Sequence, residues 1–284
     1  MTASGRAACV IGWPVEHSRS PLIHNYWLKT YGIAGAYRRE LVPPEEFATF
    51  VGSLAARGYV GANVTLPHKE AALAQALPDE RARAVGAANT LWLDDGALRA
   101  TNTDVEGFLD NLDACAPHWD RDLSKVAVLG AGGAARAAIY GLLGRGAGRI
   151  VLLNRTPARA EMLSRAFGAR VQPLPWGQFD TALADAALLV NTTTLGMRGQ
   201  PGLVVDVAPL PADAAVADLV YVPAVTPLIA AAKARGLRTT DGLGMLLHQA
   251  VRGFALWFGT TPTVTTELRA LVEADLGADK NAKR

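Results

Sequence analysis

The chain has 284 residues, half of them hydrophobic, enough for a large core divided between one or two domains. Its 28 basic and 26 acidic side chains leave a formal charge of +2, a balance that gives no reason to expect nucleic acid or an anionic membrane as partner. Two cysteines without metal-ligand spacing, no long apolar run and no charged-then-apolar leader argue against a disulfide scaffold, a zinc site and a membrane span, and for a reducing, cytoplasmic setting.

Ala8–Ile11 reads as a buried strand, with Cys9 acting as a small hydrophobe. Pro21–Tyr31 reads as a helix, with Ser20 as N-cap and Pro21 at the first helical position. Ser18 and Ser20 thus place two hydroxyls at a helix N-terminus. They can cap the helix or, with its N–H groups, hold a small carboxylate. Ala36–Val42 is a strand, and Pro44–Arg57 a helix stopped by Gly58. Tyr59–Val64 is a strand that carries Asn63, leads to Thr65 and feeds a helix opening at Pro67. Lys69 falls in the first turn of that helix. A lysine normally favours the other end of a helix. Lys69 is then a solvated surface lysine or a general acid/base. Asn89, with both a donor and an acceptor, stands at the mouth of a strand, where it holds a substrate hydroxyl or stabilises a turn. Asn89–Leu93 and Leu98–Thr101 form a hairpin across Asp94-Asp95-Gly96. Thr103 with Glu106 makes a capping box for a linking helix, Val105–Ala114. Asp104 suits that helix start, or pairs with Lys69 as a coupled acid–base unit.

Residues 125–159 are the most informative stretch. An apolar run, Val126–Leu129, ends in Gly130-Ala131-Gly132-Gly133-Ala134-Ala135; a helical pattern and a second apolar run, Ile150–Leu153, follow. Gly130 permits a tight turn, Gly132 lets backbone approach a pyrophosphate, and Ala135 allows close helix packing. Together they make half of a dinucleotide-binding βαβ unit. The second strand ends not in Asp or Glu but in Asn154-Arg155-Thr156, with Arg159 four residues past Arg155. Two guanidiniums at that spacing share one helical face and suit a 2′-phosphate, so the expected cofactor is NADP(H) rather than NAD(H). Further strands are expected near Arg170–Val171, Leu188–Asn191 and Ala217–Val220, and helices over Pro227–Arg235, Leu243–Phe258 and Thr266–Leu276. The alternation indicates α/β layers with mainly parallel sheets, in two domains with a cleft between them.

The clusters GWPVEHSRSPLIHN (12–25), NVTLPHK (63–69), GAANT (86–90), NTD (102–104), GAGGAA (130–135), NRT (154–156), NTTTLGM (191–197), DLVYVP (218–223), TPL (226–228) and DGLGMLLHQA (241–250) occur in this order. In order and spacing they resemble the shikimate dehydrogenase family over nearly the whole chain. The resemblance implies a substrate domain with a mainly parallel sheet, residues 1–104 completed by C-terminal helices in 243–284. It implies a Rossmann-type NADP-binding domain over 105–242. The implied activity is reversible reduction of 3-dehydroshikimate to shikimate, on a small-molecule substrate, with a homodimer as the possible assembly. It also implies roles. Lys69 and Asp104 are the catalytic pair. Ser18 and Ser20 bind the substrate carboxylate; Thr65, Asn89, Asp104 and Gln249 hold ring hydroxyls, with Asn63 and Thr103 nearby, and Tyr221 reaches the substrate. Gly130, Ala131, Gly132, Gly133, Ala134, Asn154, Arg155, Thr156, Arg159 and Thr193 bind NADP, and Leu219 and Gly242 border the nicotinamide. His68, Thr194 and Leu219 depart from the family's commoner residues, an aromatic, a serine and a methionine. The alternatives are a quinate or aminoshikimate dehydrogenase, a thioester reductase, which would need a nucleophilic cysteine, and a non-catalytic NADP- or shikimate-binding module.

Overall fold

The computed structural model describes the backbone of residues 6–281 and side chains through residue 278. The chain forms two compact units: residues up to Thr103 with those from Gln249 onward, and Asp104–His248. Each is built on its own six-stranded sheet.

In the first unit the elements are β1 (Arg6–Gly12), α1 (Ser20–Thr30), β2 (Gly35–Leu41), α2 (Phe47–Gly52), β3 (Tyr59–Val64), α3 (Lys69–Gln75), β4 (Leu77–Pro78), α4 (Glu80–Val85), β5 (Thr90–Asp94) and β6 (Ala97–Thr101). The sheet order is β2-β1-β3-β5-β6-β4. β1 lies parallel to β2 and β3, as helix-linked strands do, while β5 runs antiparallel to β3 and to its hairpin partner β6. At the hairpin tip Asp95 and Gly96 take φ of 49° and 79°, the left-handed pair that an Asp-Gly turn supplies. A core cluster buries Cys9, Ile11, Phe47, Phe50, Leu54, Val64 and Leu91. Elsewhere in this unit the C-terminal segment meets α1 and β5: Trp27 Nε1 donates to Thr263 O at 3.1 Å, and Trp257 Nε1 donates to Leu91 O at 2.8 Å.

His24 sits in this aromatic layer, fully buried, with its ring stacked on Tyr37 at 4.1 Å and 11° and facing Phe254 and Trp257. Neither ring nitrogen has a hydrogen-bond partner. Burial lowers its pKa from 6.5 to about 3, so the folded chain refuses a proton that the unfolded chain accepts. His24 therefore carries no proton-linked cost above pH 6.5, and stability falls as pH drops from there toward about 3. The limiting slope is about 1.4 kcal/mol per pH unit. His24→Phe keeps a ring in the stack and is expected to move the acid-unfolding midpoint, followed by circular dichroism, to lower pH. An unchanged midpoint would contradict this.

Three local expectations are corrected in this unit. Arg19, not Ser20, is the N-cap of α1; Ser20 is its first helical residue, and the Ser18 hydroxyl accepts the Ser20 N–H at 3.3 Å. The helix expected over Pro44–Arg57 breaks into a 3-10 turn, Pro44–Glu46, then α2 and further turns. There the Ser53 hydroxyl donates to the carbonyls of Thr49 and Phe50, competing with the next helical turn. α3 opens at Lys69 rather than Pro67. Thr65–His68 instead close a turn, with His68 N–H donating to Thr65 O at 3.0 Å.

The second unit contains α5 (Asp104–Cys115), β7 (Lys125–Leu129), α6 (Gly133–Gly144), β8 (Arg149–Asn154), α7 (Pro157–Phe167), β9 (Val171–Pro175), α8 (Phe179–Leu183), β10 (Leu188–Asn191), β11 (Ala215–Asp218), α9 (Pro227–Ala234) and β12 (Arg238–Asp241). α10 (Gly242–Phe258) begins here and α11 (Thr266–Asn281) follows it. All strands are parallel, in the order β9-β8-β7-β10-β11-β12. Counted from β7 this is 3-2-1-4-5-6, the doubly wound dinucleotide-binding order. Separate apolar clusters pack around the alternating residues of β7: Val126 and Val128 belong to one, Ala127 and Leu129 to the other. This is why the central strands read as continuous apolar runs. The strand expected at Ala217–Val220 lies two residues earlier. Asp218 Oδ1 accepts the Val220 N–H at 3.1 Å and turns the chain out of the sheet.

Among the described residues no helix is long and apolar enough to cross a membrane, and no cluster of His, Cys, Asp and Glu is arranged to hold a metal ion. Neither cysteine is in a disulfide; Cys9 is buried and Cys115 exposed.

Candidate active site

In the first unit the polar residues gather at strand ends. The Ser18 loop is clamped by two arginines: Arg39 donates to Ser18 O through Nε at 3.2 Å and Nη2 at 2.8 Å, and Arg19 donates to His17 O at 3.0 Å. Arg19, itself buried, is held by Asp275 of α11, Nε to Oδ2, at 2.6 Å. Ser18 and Ser20 are thereby fixed at the start of α1 in a positively charged setting suited to an anion.

Asn63, Asn89, Thr90, Thr103 and Gln249 form one network. Asn63 Nδ2 donates to Asn89 O at 3.2 Å and to Thr90 Oγ1 at 3.1 Å. Asn89 Oδ1 accepts from the Thr103 N–H at 2.8 Å, the Thr103 hydroxyl at 3.2 Å and the Thr90 hydroxyl at 3.1 Å. Gln249 Oε1 lies 3.5 Å from Thr103 Oγ1. Asn89 therefore spends its oxygen on the protein. Thr65 is tied to β1 by its N–H, which donates to Ile11 O at 2.9 Å.

Lys69 is the first residue of α3, and its carbonyl accepts the Ala88 N–H at 2.9 Å. His68 anchors that turn: it is buried, stacks on Phe47 at 4.5 Å and 12°, and donates from Nε2 to Val42 O at 2.8 Å. Histidine thus does here the packing work of the aromatic ring expected at this position. Asp104 is the first residue of α5 and follows Thr103 directly. The Ala88-Asn89 segment consequently holds both backbones, at Lys69 O and at Thr103 N–H.

In the second unit β7 ends in the glycine turn, and α6 starts at Gly133 with Gly132 as N-cap. Gly130 has φ +101°, and a Cβ there would lie 2.7 Å from Thr192 Oγ1 and 2.9 Å from Thr193 Cγ2. At Gly132 and Gly133 an added Cβ would meet nothing within 4 Å. The approach to the backbone at this helix N-terminus is thus open, which fits a nucleotide pyrophosphate. Ala135 is fully buried against the β7 layer, as close helix–strand packing requires. Gly130, Ala131 and Gly132 line a cavity of about 200 Å³ with Asn154, Arg155, Trp176 and Thr192–Leu195. It lies at the carboxyl ends of β7, β8 and β10, where the strand order reverses.

Arg155 and Arg159 do not share a helical face, contrary to expectation. Pro157 opens α7, Thr156 before it is extended, and Arg155 lies in the preceding loop, where Asn154 Nδ2 donates to Thr156 O at 2.8 Å. Arg155 lines the cavity; Arg159 is exposed in the first turn of α7. Thr193 uses its hydroxyl to shape the loop, donating to Asn191 Oδ1 at 2.7 Å and accepting from Leu195 N–H at 3.1 Å.

Leu219 and Gly242 do come together: a Cβ on Gly242 would fall 2.1 Å from Leu219 O, so only glycine permits the approach. Tyr221 is half-buried, three residues past β11. Asp218 organises this segment. Its carboxylate is buried, accepts from Asn191 Nδ2 at 2.8 Å and the Thr226 hydroxyl at 2.6 Å, and is raised in pKa by burial. Arg39 and Tyr37 do not stand out in the sequence, and Asp218, the first residue of the DLVYVP cluster, has no role announced there; the signal of each is a polar group in an otherwise apolar or strand-like run.

Family models match most of the chain: the shikimate dehydrogenase substrate binding domain at residues 10–91, shikimate / quinate 5-dehydrogenase at 117–197 and the shikimate 5′-dehydrogenase C-terminal domain at 242–266. The chain is 66% identical over 276 residues to a shikimate dehydrogenase (NADP(+)) of Rhodopseudomonas palustris strain TIE-1, covering 97% of this chain and 99% of that one. The chain belongs to the shikimate dehydrogenase family. Two solved structures extend the family likeness to the fold. The shikimate 5-dehydrogenase of Thermus thermophilus, in complex with NADP(H) and shikimate, matches with a TM-score of 0.82 and 34% identity over 96% of this chain and 99% of that one. The quinate dehydrogenase of Corynebacterium glutamicum, in complex with NAD, matches with a TM-score of 0.88 and 31% identity over 95% and 99%.

Proposed function

We propose that the protein catalyses the reversible reduction of 3-dehydroshikimate to shikimate with NADPH, as an oxidoreductase acting on a CH–OH group in the cytoplasm. The observation that carries this reading is the near-full-length likeness, at 66% identity, to a relative named shikimate dehydrogenase (NADP(+)).

NADPH, when bound, supplies the hydride that reduces the ketone. Gly130–Ala134 would hold its pyrophosphate, Asn154, Arg155, Thr156 and Arg159 its adenosine phosphate, and Thr193, Leu219 and Gly242 would shape the nicotinamide side. Ser18 and Ser20 hold the substrate carboxylate. Thr65, Asn89, Thr103 and Gln249 orient the ring hydroxyls with Asn63, and Tyr221 adds a phenol. Lys69, paired with Asp104, gives a proton to the carbonyl oxygen as it becomes a hydroxyl, and takes it back in the reverse direction.

A second reading, quinate oxidation with NAD, is favoured by the likeness to the Corynebacterium quinate dehydrogenase. Against it, β8 ends at Asn154, with Arg155 in the loop that follows, and carries no acidic residue for a ribose 2′-hydroxyl. Initial rates with shikimate and with quinate, each with NADP and with NAD, separate the two. The highest kcat/KM is expected for shikimate with NADP, and a preference for quinate with NAD would overturn the proposal.

A further inference from the structure

The hydrogen bonds around Asn63 lead to a residue that neither motif nor family name brings forward. Tyr37 projects from β2 and is buried, its hydroxyl donating to Asn63 Oδ1 at 2.6 Å. The phenol also meets the Ser20 side chain. Its ring is fixed by the stacked His24 on one side and by Trp257, 5.8 Å away between centroids. Burial pushes the phenol well above its ordinary pKa, so it remains a neutral donor throughout the working range.

A primary amide can sit in either of two orientations, with oxygen and nitrogen exchanged. Asn63 has both amide hydrogens committed, to Asn89 O and Thr90 Oγ1, and one lone pair of its oxygen committed to Tyr37. What it retains is the second lone pair. Asn63 is thereby restricted to accepting a hydrogen bond. A ligand hydroxyl that donates is the group this amide selects.

We infer that Tyr37 is a positioning residue for substrate recognition: its hydroxyl locks the Asn63 amide with oxygen available to a substrate hydroxyl and couples that amide to the Ser20 end of the carboxylate site. This rests on the shikimate reading above. Tyr37→Phe keeps the ring, its stack and its volume while deleting one donor. The KM for shikimate is expected to rise about ten-fold, the value of one well-placed hydrogen bond, with the KM for NADP and the thermal midpoint unchanged. In an Asn63→Ala background the same substitution should add no further loss, because the amide it orients is gone.

Shikimate turnover by the unmodified protein is measured alongside. Its absence would overturn the functional reading and this inference with it. Turnover with a wild-type shikimate KM in Tyr37→Phe would overturn the Tyr37 assignment alone, as would equal losses in the presence and absence of Asn63. A Tyr37→Phe chain that fails to fold would also count against it, since the hydroxyl would then be a determinant of the fold rather than of recognition.

Discussion

Replacing Lys69 with alanine is expected to lower kcat by about 10²- to 10⁴-fold while leaving the Kd for NADPH unchanged, the usual range for losing a general acid. The design of the position makes this a clean experiment. Lys69 joins the scaffold through its backbone, with Ala88 N–H donating to its carbonyl, and through the neighbouring His68 stack on Phe47. Alanine is the best helix former and preserves both. Only the side chain beyond Cβ is removed, so a fall in kcat with an intact thermal midpoint assigns the loss to that side chain and its amine. The nucleotide cavity is lined by residues between Gly130 and Leu195, remote in sequence from position 69, so fluorescence titration with NADPH serves as the internal control. Turnover near that of the parent in Lys69→Ala would remove the amine from the mechanism.

The second large effect belongs to Arg155. Its guanidinium stands beside the cavity that Gly130–Gly132 and Asn154 line, in a loop that Pro157 keeps out of α7. A charge-assisted hydrogen bond to a phosphate contributes about 1.5–3 kcal/mol. Arg155→Ala is therefore expected to raise the KM for NADPH by about ten- to a hundred-fold, at RT ln 10 of about 1.4 kcal/mol per decade. The KM for NADH, which lacks the phosphate, should stay the same, so the preference between the nucleotides collapses. Arg159→Ala should have the smaller effect, since that side chain projects from α7 outside the cavity lining. Steady-state kinetics with both nucleotides at saturating substrate decide it. A preference for NADPH retained in Arg155→Ala and lost in Arg159→Ala would reverse the assignment.

The sequence was most legible where one local rule governed. The strand–glycine turn–helix from Lys125 to Gly144 is an apolar run, then glycines, then a helical pattern, and it lies where expected. The Asp95-Gly96 hairpin is equally local, as is the buried strand around Cys9. Reading failed where two local signals competed. Ser53 breaks a helix whose composition favours continuation, and Pro157 displaces Arg155 from the face that its spacing with Arg159 suggests. β12 was missed because Arg238-Thr239-Thr240-Asp241 is polar and pairs only with β11 at the sheet edge. The supporting residues of the site were hidden for a different reason. Tyr37 and Asn63 are 26 positions apart, and Arg19 meets Asp275 from the far end of the chain. Such contacts exist only once the sheet is assembled, and no spacing announces them.

The central claim is a reaction, and the most direct measurement is the loss of NADPH absorbance on adding 3-dehydroshikimate, with Asp104→Asn as the companion variant. We expect one NADPH consumed per shikimate formed by the unmodified protein, and a rate reduced by orders of magnitude in Asp104→Asn with NADPH still bound. No consumption by the unmodified protein, or an undiminished rate in the variant, would contradict the proposed chemistry.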